Sequence, residues 1–370
     1  LRVDAAGDMS AGCAGVCSEI LRAPQVMNEL EHRIHTEIAE KGGIPFSRFM
    51  ELALYEPGLG YYETHREIGR KGDFYTSVSV GSVFGEMLGF QITSWLQEIQ
   101  GNVQLVEAGA HDGRLAGDIM TYLRDWQPEF YSRCELLLWE PSKIHRDWQQ
   151  ETLSAFDGKV RWVELLEPFR GVFFCNELLD ACPVERLTWE AGGWEQGFVK
   201  SKAESFVWEN QSAEAVKGWL KSVTPPDRAV YALSDYAPWQ NVCESLQRGR
   251  AVVVDYGMSG MEFFDPPRTN GTIRGYHHHQ KVDDVLQNPG KIDITSSVNF
   301  SAVEQIATSA GLTTASLTRQ AQFLVNIFEQ TLETPEQFPE WTPERTRQFQ
   351  TLVHPEHLGH SFKVLECWRP

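Results

Sequence analysis

The middle of the chain alternates short apolar runs with amphipathic stretches, and no other feature constrains the fold as tightly. Val103–Ala108, Glu135–Glu140, Val160–Val163, Val172–Asn176 and Ala251–Tyr256 read as short buried strands, too short for helices and rich in branched and aromatic residues. Apolar residues at helical spacing fill the intervals at about 114–126, 142–156, 212–222 and 238–247. Strands separated by helices cannot pair as hairpins. They pair in parallel, with the helices covering both faces of one sheet. A helix at about 301–310, a strand near 313–319, another helix and a final strand near 361–368 complete the pattern. The expected class is α/β, a Rossmann-like sheet with helices on both faces.

The flanks are different in character. Residues 1–24 are small and loosely patterned, and from Pro24 to Lys41 the residues Val26, Met27, Leu30, Ile34 and Ile38 recur at helical spacing until Gly42-Gly43 stops them. Ile44–Leu54 reads as a second helix with Pro45 in its first turn, followed by an aromatic-flanked turn at 55–62 and a loop from Gly69 to Val80. A helix spans about Ser82 to Glu98. Trp-Glu-Ala-Gly-Gly-Trp-Glu signals an inserted hairpin within 184–208, and 258–300 is a long loop-rich stretch. The expected organisation is a lead-in and helix over 1–43, then a main domain over 44–370. That domain carries an N-terminal helical cap at about 44–100 and insertions at about 184–208 and 258–300.

Composition excludes several functions. The chain has 33 Lys and Arg against 51 Asp and Glu, a net charge of −18, so a phosphate backbone would be repelled and nucleic acid is not expected as a partner. No apolar run reaches the length of a membrane span. The seven cysteines, at 13, 17, 134, 175, 182, 243 and 367, are odd in number, and several lie in apolar strand-like runs, as reduced and buried thiols do. The first 24 residues show neither a signal-peptide apolar centre nor an arginine-rich transit pattern. A bacterial cytoplasm is the expected location, with the mitochondrial matrix as the alternative. No metal site is expected. Cys13 and Cys17 lack a second ligand pair, the side chains of His277-His278-His279 diverge, and His354, His357 and His360 read as loop residues. Serine-hydrolase chemistry has no Gly-x-Ser-x-Gly elbow to stand on.

Three segments carry candidate chemistry. In Leu-Val-Glu-Ala-Gly-Ala-His-Asp-Gly-Arg-Leu (105–115) a buried strand ends near Glu107, and Gly109 and Gly113 bracket a tight turn before a helix. Ligands of open α/β sheets bind at such strand ends. Glu140 stands at the tip of the next strand, where a carboxylate can accept both hydroxyl hydrogens of an adenosine ribose. A dinucleotide would require Gly-x-Gly-x-x-Gly, and Asp112 would repel its pyrophosphate. S-adenosyl-L-methionine has no phosphate, and its sulfonium and amino groups suit a carboxylate-rich turn. In Val-Phe-Phe-Cys-Asn-Glu-Leu-Leu-Asp-Ala-Cys-Pro-Val (172–184), Asn176 and Glu177 end a strand and Asp180 follows three residues on. If a helical turn starts there, the two carboxylates share a face and could hold a guanidinium.

Taken with Tyr-Glu-Pro-Gly-Leu-Gly-Tyr-Tyr (55–62), Gly-Asp-Phe-Tyr-Thr-Ser (72–77), Phe-Gly-Glu (84–86), Asp-Tyr-Gly (255–257), Gly-Thr-Ile-Arg-Gly-Tyr (271–276) and Asn-Pro-Gly-Lys-Ile-Asp-Ile-Thr (288–295), the chain resembles the MidA family of S-adenosylmethionine-dependent methyltransferases. The family's mitochondrial members act in respiratory complex I assembly. The resemblance covers about Ile44 to Leu365 and implies a seven-stranded sheet ending in an antiparallel hairpin. It also implies methyl transfer to an arginine side chain of a partner protein, with a respiratory-complex subunit as one such partner. On this reading the cofactor is bound by Glu107 at the methionine end and Glu140 at the ribose end, and by Gly109, His111, Gly113, Ser142 and Asn176. Gly72, Asp73 and Thr76 close over it, and Glu177, Asp180 and Asp255 are the catalytic set that orients the substrate. The family's loop Glu-x-Gly-Pro-Gly-x-Gly here reads Glu107-Ala-Gly109-Ala-His111-Asp112-Gly113, and Val78-Ser79 replaces the Pro-Glu that often follows residue 77. Two rival readings follow from the altered loop and the sheet. One is a non-catalytic assembly or binding protein that keeps the fold, and the other is a nicotinamide oxidoreductase.

Overall fold

In the computed structural model the described residues are 27–66, 76–213, 229–264, 271–278, 280–355 and 358–370. The lead-in with Cys13 and Cys17, Gly72 and Asp73, most of the helix expected at 212–222, His279 and His357 lie outside them.

Seven long strands form the central sheet: β1 (Val103–Ala108), β2 (Cys134–Trp139), β3 (Val160–Val163), β4 (Phe169–Asn176), β5 (Leu246–Met258), β6 (Thr313–Arg319) and β7 (Phe362–Arg369). Their order across the sheet is β3-β2-β1-β4-β5-β7-β6. β1 to β5 pair in parallel, and β7 inserts antiparallel between β5 and β6. The seven-stranded sheet with an antiparallel end is therefore present. A two-residue strand, Val298–Asn299, extends it beside the end of β5.

Alternation along the strands builds two cores. Leu105, Val172, Phe174 and Val252 face one side, with Phe84 and Leu88 of α3 (Val83–Leu96), Ile119 of α4 (Arg114–Trp126) and Leu324. Val106, Phe173, Cys175 and Val253 face the other, with Trp239 and Val303 from helices Ala237–Ser245 and Phe300–Ser309. Successive side chains of a strand point to opposite faces, so a run buried on both sides is continuously apolar, as the sequence shows. Gly171 is required where β4 pairs with β1 opposite Gln104: its φ is +146°, and a Cβ there would lie 2.0 Å from the Gln104 carbonyl oxygen.

A second, antiparallel sheet joins Ile44–Pro45, Gly193–Lys202, Glu185–Glu190, Val230–Leu233 and Ser205–Ser212. The stretch expected as one hairpin is thus three strands of a five-stranded sheet. The loop-rich 258–300 stretch likewise contains a three-stranded sheet of Ile273–His277, Gln280–Val282 and Asp293–Ser296. Helices α1 (Glu29–Lys41) and α2 (Phe46–Tyr55) pack onto these sheets through Ile34, Phe46, Phe49, Val199 and Ile294. The Asn28 side chain accepts from the Glu31 backbone N–H, and Glu31 accepts in return from that of Asn28, a capping box that starts α1 at Glu29. Pro45 precedes α2 instead of lying in its first turn, because Ile44 and Pro45 pair with Val199 and Phe198. Among the described residues no helix is long and apolar enough to cross a membrane.

Candidate active site

A cavity of about 650 Å³ opens at the carboxyl ends of β1, β2 and β4, roofed by the segment that follows α2. That volume is in the range that holds a cofactor-sized ligand. Thr76, Glu107, Gly109, His111, Glu140, Ser142, Asn176 and Glu177 all line it.

The loop after β1 is built from left-handed residues: Gly109, His111 and Gly113 have φ of +69°, +48° and +82°. This curls the chain so that the Gly113 N–H donates to the Ala110 carbonyl at 2.7 Å and α4 begins at once. Glu107 ends up 3% exposed, with Oε2 unpartnered. Burial, with help from the Asp112 charge, pushes its carboxyl up to about 8. Asp112 itself is paired with Arg114, Nε to Oδ2, at 2.8 Å. Both ring nitrogens of His111 are buried without a partner, and burial, with the neighbouring His145 second, holds that imidazole down to about 3.

Glu140 lies just past β2 and organises α5 (Lys143–Thr152). Its Oε1 accepts from the Ser142 N–H at 2.9 Å, and its Oε2 lies 3.1 Å from Gln149 Nε2 and 3.2 Å from His145 Nδ1. Ser142 caps the helix by accepting from the His145 N–H. Gln149 also donates to the His111 carbonyl at 3.0 Å and accepts from Trp162 Nε1, so the loops after β1 and β2 share one buried network.

The third wall is the turn after β4. Glu177 has φ +52°, uncommon for a residue with a side chain. Its carboxyl accepts from Asn176 Nδ2 at 3.0 Å and from the Ser77 backbone, while burial and then Asp180 push it up to about 8. The turn is not helical, so Asp180 neither shares a face with Glu177 nor lines the cavity; it stands behind Glu177, 5% exposed, held by the Tyr256 hydroxyl and raised by burial to about 6, with Oδ1 unpartnered. Asp255 does not reach the cavity. It is fully buried under the turn, where Oδ2 accepts from the Leu179 and Asp180 N–H groups at 2.9 and 3.3 Å and Oδ1 from that of Tyr256 at 2.8 Å. The place expected for it beside a substrate is corrected to one beneath the backbone, because strand alternation puts Asp255 on the same face as Val253, where the turn after β4 lies over it. Gly113 likewise serves the turn into α4 and does not line the cavity.

Several lining residues were not among the expected site residues. His145, Arg66, Tyr55 and Tyr62 line the cavity, and Trp148 and Gln149 support it. Tyr62 and Tyr55 stack at 5.5 Å, with their hydroxyls on Asp293 (2.8 Å) and the Ala181 carbonyl (2.8 Å). The aromatic-flanked turn marked this segment, but nothing in it pointed to α5. Among the described residues no group of three or more His, Cys, Asp or Glu is placed to hold a metal.

Comparison with known proteins gives the family and the fold. Over residues 87–318 the chain matches the family described as S-adenosyl-L-methionine-dependent methyltransferase. It is 31% identical to a COG1565 superfamily member from Burkholderia thailandensis whose crystal structure is bound to S-adenosyl-homocysteine, with a TM-score of 0.82 and 92% of each chain covered. It is 26% identical over 316 residues to the mitochondrial protein arginine methyltransferase NDUFAF7 homolog of Drosophila melanogaster, covering 76% of this chain and 70% of that one. With the mitochondrial protein arginine methyltransferase NDUFAF7 of Rattus norvegicus it shares 24% identity over 393 residues, covering 95% and 86%.

Proposed function

We propose that this chain, which belongs to the family of S-adenosyl-L-methionine-dependent methyltransferases, moves the cofactor's methyl group to a guanidinium nitrogen of an arginine in a partner protein. The residues present fit the cofactor. Glu107 Oε2, Asn176 Oδ1 and the ring nitrogens of His111 are buried polar atoms without partners, all on residues of one cavity, and such atoms need a polar ligand. Glu107 would hold the amino end, Glu140 and Ser142 the ribose, and Gly109 allows close backbone approach, while Thr76 and Asn176 close the sides. The bound cofactor supplies an electrophilic methyl on a positively charged sulfur.

The rest of the chemistry belongs to the chain. Glu177, half-buried on the cavity wall, and Asp180, buried behind it, are two carboxyls on one turn, and this pair is the observation that carries the arginine reading. A guanidinium is charged at neutral pH and nucleophilic only when its charge is localised by carboxylates. Arrival of that cation favours ionisation of Glu177, which then aligns the attacking nitrogen and accepts its proton as the methyl moves. The NDUFAF7 relatives, named protein arginine methyltransferases, support the same substrate. The five described cysteines are free and buried, which suits a reducing compartment such as a bacterial cytoplasm or a mitochondrial matrix.

Titration with S-adenosyl-L-methionine, NAD and NADP separates this from an oxidoreductase: only the first should bind. Incubation with labelled cofactor and a lysate, followed by amino-acid analysis, should then yield methylarginine. Binding without transfer to any protein would favour the non-catalytic assembly reading.

A further inference from the structure

His145, in the first turn of α5, has both ring nitrogens engaged. Nδ1 lies 3.2 Å from Glu140 Oε2, and Nε2 lies 2.9 Å from the backbone carbonyl oxygen of Tyr62. Both partners can only accept. A neutral imidazole carries one N–H and would aim a lone pair at one of them, whereas an imidazolium donates to both. The ring is also enclosed, with its side chain 12% exposed. One face lies parallel to His111 at 5.3 Å and 7°, and Trp148 packs beside it at 5.1 Å. Arg66 lies 5.7 Å from the Trp148 ring centre.

The charges that face this ring come from every element around it. Glu140 approaches from the end of β2 and Glu63 from the short helix Tyr61–Thr64. His111 faces it from the loop after β1, neutral at ordinary pH because burial holds it down to about 3. Burial lowers the affinity of His145 for its proton, but the hydrogen bond and charge of Glu140, the Tyr62 carbonyl and the Glu63 charge together outweigh it. The net displacement is upward from the ordinary value.

We propose that His145 is a positioning residue which, as an imidazolium, ties the Tyr62 segment to the Glu140 carboxylate, so that the ribose-binding group is set only when this segment is seated and the ring is protonated. This rests on the reading that Glu140 holds the cofactor's ribose. Residue 62 lies 83 positions before residue 145, so the tie joins the N-terminal layer to the sheet edge across the cavity mouth. Losing the proton leaves one acceptor facing a lone pair and opens that tie. The contribution is complete below the ordinary histidine pKa and is lost as pH rises through the raised one. Glu107 acts in the opposite sense, since its ionisation towards pH 8 favours a cationic ligand. The comparison must therefore be between wild type and a His145 variant at each pH.

Nitrogen NMR of the ligand-free full chain, labelled at histidine, reads the tie without any cofactor. At pH 6 His145 should show two N–H groups, and Glu63→Gln should move its titration downward. Calorimetry with S-adenosyl-homocysteine should show His145→Gln about tenfold weaker than wild type at pH 6.5, with the two converging by pH 9. A single-N–H signal for His145 at pH 6 overturns the proposal whether or not the variant folds. So does a wild-type-to-variant affinity ratio that is the same at all pH values. No binding of S-adenosyl-homocysteine to wild type at any pH would instead overturn the cofactor reading, and the NMR result would still decide the tie.

Discussion

Glu177 is held in a backbone conformation that most side chains avoid, and the residue that costs the fold most is often the one that serves function. The left-handed geometry, φ +52°, turns its carboxyl into the cavity between Asn176 and the Ser77 backbone. Glu177→Gln keeps the shape and removes the charge. On the proposed arginine reading, turnover on a protein substrate should fall ~10²–10⁴-fold, the usual consequence of losing acid–base assistance, while cofactor affinity measured by calorimetry changes little. Lost cofactor binding with unchanged turnover per bound complex would move Glu177 into the cofactor's shell. Glu177→Gly should be inactive yet more stable by ~1 kcal/mol or more in urea, since glycine accepts this φ freely and the desolvated carboxyl is gone. Glu140 gives the complementary result. Glu140→Ala should weaken S-adenosyl-L-methionine ten- to a hundredfold, from ~1.5–3 kcal/mol of charge-assisted contact.

Elements place these residues, and the turn after β4 shows how. Asp255 ends the apolar part of β5 and fixes that turn by accepting three backbone N–H groups. Asp255→Ala should cost ~2–4 kcal/mol in a denaturant titration and reduce turnover in parallel, because the unpaired donors stay buried and the turn relaxes. Glu177→Gln separates the two readouts, so a variant that changes both marks a support and not a participant. Sequence reading reached such elements where hydrophobic runs end at glycines or charges. Val103–Ala108, Arg114–Trp126, Val160–Val163 and Thr313–Arg319 have the bounds expected of them. It missed elements whose pairing partner is remote. Ile44–Pro45 is a strand only because Val199 and Phe198 lie opposite, and Gln280–Val282 is too short and polar to signal itself. The same limit applies to the site. Glu107 and Glu140 are visible as acids at strand tips, whereas His145 looks like any polar residue on an amphipathic helix until the Tyr62 carbonyl is brought to it.

At the scale of the whole molecule, the cavity is a concentration of buried acids in a chain whose net charge is already −18. Glu107 and Glu177 are each pushed up to about 8 and Asp180 to about 6, in every case chiefly by burial. A carboxyl raised in the folded state favours folding while it stays protonated there, and its contribution is lost as pH rises from the unfolded value, near 4.5, through the folded one. The ligand-free protein should therefore melt at a lower temperature at pH 8 than at pH 5.5. Ion pairs and the other titrating groups also change over that range, so wild type alone does not isolate the cause. Glu107→Gln does. The amide copies the protonated carboxyl, so the variant should come within about 1 kcal/mol of wild type at pH 5 and exceed it by roughly 2–5 kcal/mol at pH 8. Differential scanning calorimetry at both pH values reads this directly, and parallel curves for the two proteins would show that Glu107 ionises freely in the fold. The stabilised variant should also bind S-adenosyl-L-methionine less well, because the charge that strains the empty site is the one a cationic ligand answers. The empty enzyme is thus held below its own best stability by the groups that make it a site, and a positively charged ligand returns part of the difference on binding.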